Sequence, residues 1–177
     1  MRTRPDAVPH NPHTIADARA GSQEALGELF AEHAASLLSV AAHLTASSAD
    51  AEDIVQDVFV GLPEALRHYE ERGSFAAWLK RVTVRYALMH MRRVSRRAEL
   101  PFDSAPEPHA AQPDLATRSS IASGLAQLSP NLRAVFVLHE VEGYSHIEIG
   151  ELLGIRAGTS EVRLFRARAS LRTLLED

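Results

Sequence analysis

Residues 73–93 read GSFAAWLKRVTVRYALMHMRR, and two patterns run through them at once. Phe75, Trp78, Leu79, Val82, Tyr86 and Met89 step by three and four, the spacing that gathers side chains on one face of an α-helix. Lys80, Arg81, Arg85, Arg92 and Arg93 fall between and beyond them. The segment is therefore predicted to be an amphipathic helix with an apolar stripe and a basic remainder. Residues 72–97 hold Arg72, Lys80, Arg81, Arg85, Arg92, Arg93, Arg96 and Arg97 and no acid. A solvated helix face usually mixes its signs, so a run this one-sided points to an anionic partner. Trp78 lies on the apolar stripe, which favours a core role over an exposed wedge.

Two more helices are predicted upstream. Leu26, Leu29, Phe30, Leu37, Leu38, Ala41 and Leu44 recur at helical spacing until the polar stretch TASSAD, residues 45–50, interrupts them. Ala51, Ile54, Val55, Val58, Phe59, Leu62 and Leu66 then form a second stripe, with Glu52, Asp53, Gln56, Asp57 and Glu64 outside it. Pro63 is predicted to kink or end that helix, because proline lacks the backbone donor and crowds the preceding turn. The formal net charge of the 177 residues is −4, but it is segregated: residues 1–71 carry twelve acids against Arg2, Arg4, Arg19 and Arg67. Local clusters, not the total, govern affinity for phosphate.

Downstream, residues 98–118 place Pro101, Pro106, Pro108 and Pro113 among alanines and the acids Glu99, Asp103, Glu107 and Asp114. Such a segment holds no helix and reads as an acidic, Pro/Ala-rich flexible linker, about 70 Å long if fully extended. Beyond it Ser129-Pro130 has the form of a helix start, and Gly143 a break. Ser145 and Glu148 have capping-box spacing, and Gly154 closes the helix they open. A last helix from about Gly158 carries Val162, Leu164, Phe165, Ala169, Leu171 and Leu174 with Arg163, Arg166, Arg168 and Arg172 interspersed. Short helix, glycine turn and longer basic helix is a helix-turn-helix pattern. The fold expected is all-α: two small helical domains, residues 21–97 and 119–177, joined by the linker and preceded by an unstructured tail over 1–20.

Several function classes are set aside. Cysteine is absent, which removes disulfides, thiolate metal sites and thiol nucleophiles. His139-Glu140 is not followed by a second histidine in metalloprotease register, since Gly143 stands there, and His10 and His13 have no further ligands nearby. No catalytic residue, metal site or cofactor is expected. No window is apolar enough for a membrane span and MRTRPDAVPHNPH has no signal-peptide core, so no membrane insertion and a cytoplasmic address are expected.

The strings ALGELFAEHAASLLSVAAHLTASSADAEDIVQDVF and GSFAAWLKRVTVRYALMHMRR resemble region 2 of the sigma factors of bacterial RNA polymerase. LSPNLRAVFVLHEVEGYSHIEIGELLGI and RLFRARASLR resemble region 4, and the two in this order resemble the compact extracytoplasmic-function branch. The resemblance implies that the chain joins core RNA polymerase, recognises promoter DNA and helps to melt it. Asp53, Gln56 and Asp57 would meet the polymerase's largest subunit. Lys80, Arg81, Arg85, Arg92 and Arg93 would neutralise phosphates at the minus-ten element, and His68, Tyr69, Arg72 and Ser74 would form a base-capture loop. Thr159, Ser160, Glu161, Arg163, Arg166 and Arg168 would face the major groove of the minus-thirty-five element. The linker acids fit an RNA-mimicking passage through the polymerase and a plain solvated tether equally well.

Two positions depart from the family pattern, which often has serine in place of Arg156 and a base in place of Glu161. Glu161 can accept from cytosine or repel phosphate, so it bears on the target sequence. The implied partners are core RNA polymerase and promoter DNA, with room for an anti-sigma factor. The alternative is a sigma-like adaptor or decoy that binds a regulatory protein without promoter activity; the unbroken basic run in 72–97 weighs against it. A free-standing helix-turn-helix repressor fits less well, because no dimerising helix is visible.

Overall fold

The structure is a computed structural model and describes residues 12–70, 73–98 and 121–176. Its elements are α1 (Pro12–Arg19), α2 (Gln23–Thr45), α3 (Ser48–Leu66), α4 (Phe75–Ala98), α5 (Ile121–Gln127), α6 (Pro130–Phe136), α7 (His146–Leu153) and α8 (Ala157–Glu176). Helix α6 continues as a wider π turn over Val137–Val141. The chain is all-α, in two small domains.

The first domain packs α1 to α4. Ser22 starts α2, its hydroxyl oxygen accepting from the Ala25 N–H at 3.3 Å, and Ser47 does the same for α3 through the Asp50 N–H at 3.1 Å. Between them Ala46 adopts φ +56°, which turns the chain back and aligns α2 against α3. The apolar periodicity decides what is buried: Leu29, Leu37, Val55, Val58, Leu62, Leu66 and Leu79 form one continuous core. Helix α3 does not stop at Pro63 as the sequence allowed. It runs on to Leu66 because Leu62 and Leu66 are fully buried on either side of the proline, so packing outweighs one missing backbone bond.

A second correction concerns the amino-terminal tail. Residues 12–19 form a helix that buries Ile15 and Ala18, and Arg19 Nε donates to the Leu66 carbonyl at 2.9 Å. That carbonyl belongs to the last turn of α3 and also accepts from the Tyr69 N–H at 3.2 Å, so the guanidinium is its second partner at the helix end. Within the expected linker, residues 99–118 lie outside the described residues, as does Arg72.

In the second domain Ser145 and Glu148 form the capping box, with Ser145 N–H donating to Glu148 Oε2 at 2.9 Å. Gly154, at φ +68°, ends α7 and feeds α8. Gly150 permits the turn to close: a Cβ there would stand 2.7 Å from the Ile155 carbonyl oxygen. Leu164, Ala167 and Leu171 seat α8 against the rest of the domain. The apolar core of this domain is continuous with Val40, Ala41 and Leu44 of α2 and Val84, Ala87 and Leu88 of α4, so the two domains are in contact.

Candidate nucleic-acid and polymerase interfaces

Helix α3 turns its apolar stripe inward and leaves Asp53, Gln56 and Asp57 exposed together. Their spacing of three and four residues makes one patch about a turn long. Helix α4, packed beside it, exposes Arg81, Arg85, Arg92 and Arg93, with Lys80 half-buried. The two faces meet in an open cleft of about 950 Å³ lined by Ile54 and Asp57 of α3 and by Tyr86, Met89, Arg92, Arg93, Arg96 and Arg97 of α4. An acidic patch and a basic rim are thus presented side by side.

The loop before α4 is only partly available. Ser74 is exposed and caps α4, its hydroxyl oxygen accepting from the Ala77 N–H at 3.4 Å. His68 is exposed as well. Tyr69 is not: it is 8% exposed, its ring centred 4.7 Å from that of Trp78 and 5.5 Å from that of Phe75. The tyrosine is part of the aromatic core here and cannot stack a base, which corrects its place in the capture loop. Trp78 lies within the same aromatic group, stacked on Phe75 at 5.6 Å.

In α8, Thr159, Glu161 and Arg166 are exposed at the amino-terminal half. Ser160 is fully buried and its hydroxyl meets His146 Nδ1 at 2.9 Å, so it fastens α8 to α7 instead of facing outward. Arg168 is ion-paired with Glu140, and that hydrogen bond is the main reason the Glu140 carboxyl is held below the usual carboxylate range. Arg163 is half-buried and lines a cleft of about 460 Å³ with Leu88, Met91 and Arg92 of α4. Of the six residues expected to face the groove, Ser160 is therefore withdrawn, Arg168 is ion-paired within the chain and Arg163 is half-buried.

Sequence reading missed Arg133 and Glu142, and it gave Lys80 and Arg81 no partner within the chain. Arg133 stands in α6 between Leu132 and Ala134, a single base in an apolar run, and is buried. Its position was the only signal. Lys80 Nζ lies 3.2 Å from Glu142 Oε2 and Arg81 Nη2 lies 3.4 Å from Glu148 Oε1, both between domains.

Comparison with known proteins agrees with this architecture. The family model for sigma-70 region 2 matches residues 29–97 and that for sigma-70 region 4 matches residues 118–171. The RNA polymerase sigma factor CarQ of Myxococcus xanthus is 35% identical over 165 residues, covering 89% of this chain and 92% of the relative. The ECF RNA polymerase sigma factor SigL of Mycobacterium tuberculosis is 34% identical, covering 92% and 96%. Among solved structures, CnrH in complex with the cytosolic domain of CnrY matches with TM-score 0.59 and 34% identity over 93% of this chain and 96% of that one. The chain belongs to the extracytoplasmic-function sigma factors of RNA polymerase. It directs core RNA polymerase to promoters, and sigma factors are regulators of transcription, not known as enzymes.

Proposed function

We propose that residues 21–97 hold the polymerase and the minus-ten element while residues 119–177 read the minus-thirty-five element. The observation that carries the first half of this division is the cleft where Asp57 of α3 adjoins the arginines of α4. Asp53, Gln56 and Asp57 dock on basic groups of the polymerase. Arg81, Arg85, Arg92 and Arg93, with Lys80 at the edge, hold phosphates, which positions the strand without specifying its sequence. His68 and Ser74 remain for base capture, and Arg166 with Thr159 and Glu161 reaches the major groove, where a helix fits and bases are distinguishable.

The chain performs no chemistry of its own in this scheme and acts in the cytoplasm. No helix among the described residues is long and apolar enough to cross a membrane. CnrH is seen in complex with the cytosolic domain of CnrY, which supports a protein partner for this chain, and we assign that place to an anti-sigma factor. The docking face is tested by Asp53→Lys with Asp57→Lys. Co-purification with core polymerase should be lost while the circular dichroism spectrum is kept; unchanged co-purification rejects that face.

A further inference from the structure

Along the contact between α4 and the second domain, most basic side chains are answered by acids. Lys80 and Arg81 pair with Glu142 and Glu148, and Arg85 lines a cleft of about 240 Å³ with Glu148 and Glu151. The cleft of about 460 Å³ is different. It brings Arg92 and Arg96 of α4 together with Arg163 of α8, and among the described residues no acidic side chain lines it. Arg163 also has no part in the DNA scheme above.

Arg92 Nη2 donates to the Leu152 carbonyl at 3.1 Å and Arg96 Nε to the Arg92 carbonyl at 3.4 Å. A carbonyl accepts from a guanidinium without cancelling its charge. Each guanidinium has five N–H donors, so both keep donors for a ligand. Like charges gathered around one cleft favour an anion there, and the planar fork of arginine matches phosphate oxygens two at a time. Three such forks exceed what one phosphate can use; linked phosphates supply the charge and the spread of oxygens.

The remaining lining suits an organic group. Leu88, Met91 and Leu153 are apolar, and the Asn131 amide brings both a donor and an acceptor. Small-molecule sites occupy about 300–1,000 Å³ and combine an apolar lining with a few polar groups, as this cleft does. The larger cleft between α3 and α4 shares Arg92 and Arg96 but includes the carboxylate of Asp57, which repels an anion, and lacks Arg163.

We propose that the cleft between α4, α6 and α8 binds a nucleoside polyphosphate. Arg92, Arg96 and Arg163 take the phosphate oxygens, Leu88, Met91 and Leu153 pack against the nucleoside, and Asn131 supplies its hydrogen bonds. The bound ligand touches both domains, since the arginines come from α4 and α8.

Isothermal titration of the full chain with ATP, GTP and inorganic triphosphate, in magnesium-free buffer at physiological salt, tests this. At least one nucleotide should bind saturably, one per chain, and more tightly than inorganic triphosphate. Arg163→Ala should weaken that binding by about 10- to 100-fold, the loss expected for a hydrogen bond to a charged group. Arg96→Ala, a change at an exposed side chain that leaves the fold intact, should show a loss in the same range. Arg97→Ala and Arg172→Ala remove the same charge outside the cleft and should bind as the parent does. Absence of saturable binding by either nucleotide overturns the site. Equal losses in all four variants also overturn it, because they reduce the effect to general attraction by a basic surface. Inorganic triphosphate binding as tightly as the nucleotides overturns the part given to the apolar lining.

Discussion

Arg168 and Arg166 lie two positions apart on α8 and have different surroundings. Arg168 is tied to Glu140, whereas Arg166 is exposed. Arg166→Ala should therefore weaken binding to an upstream-element duplex directly, by about 1–3 kcal/mol if a bidentate base contact is lost; a gel-shift titration reads it. Glu140→Gln should instead strengthen duplex binding, since it releases Arg168. The same pair has a pH signature. The folded carboxyl of Glu140 titrates below its unfolded value, so the pair adds stability above about pH 4.3, and this is lost as pH falls through the folded value. The difference in melting temperature between Glu140→Gln and parent should be present at neutral pH and vanish in acid; a constant difference across pH would assign the effect to packing.

Close packing around helix ends sets the geometry at the next scale, and Gly150, within α7, lies against the turn that follows that helix. A methyl group there would stand 2.7 Å from the Ile155 carbonyl oxygen, which is backbone and cannot step aside. Gly150→Ala should cost about 1–3 kcal/mol in urea unfolding, while Gly158→Ala in α8, with nothing within 4 Å of the added carbon, should stabilise by about 0.4–1 kcal/mol. Equal effects at the two sites would mean that the turn is not the constraint. The helices from α2 to α4 and the capping box of α7 were legible because apolar spacing and cap chemistry are local. Helix α1 was not: its support is Arg19 reaching Leu66, 47 residues away. The exposed faces of α3 and α4 could likewise be read from register, since register says which side is outward. It does not say what covers that side, so the burial of Tyr69 and Ser160 and the pairing of Arg168 stayed hidden. Arg133 bonds backbone carbonyls 88 and 89 residues distant, and backbone acceptors leave no mark in residue identity.

At the scale of the whole molecule, a chain of net charge −4 can bind DNA because its charges are sorted. Acids collect on α3, bases on α4, and the second domain meets α4 through Glu142 and Glu148 and α2 through Arg133. Phosphate contacts by several bases make the affinity of α4 for a single strand fall steeply with salt; Arg92→Ala with Arg93→Ala should flatten that dependence. The most direct measurement of the central claim is reconstitution with core RNA polymerase on promoter templates, reading strand opening by permanganate footprinting and product by run-off transcription. Opened bubbles and run-off transcripts that require both polymerase and this chain, and that fall away with Asp53→Lys and Asp57→Lys, are the predicted result. A chain that joins the polymerase yet opens no template, or that gives full transcription with those two acids reversed, would contradict it.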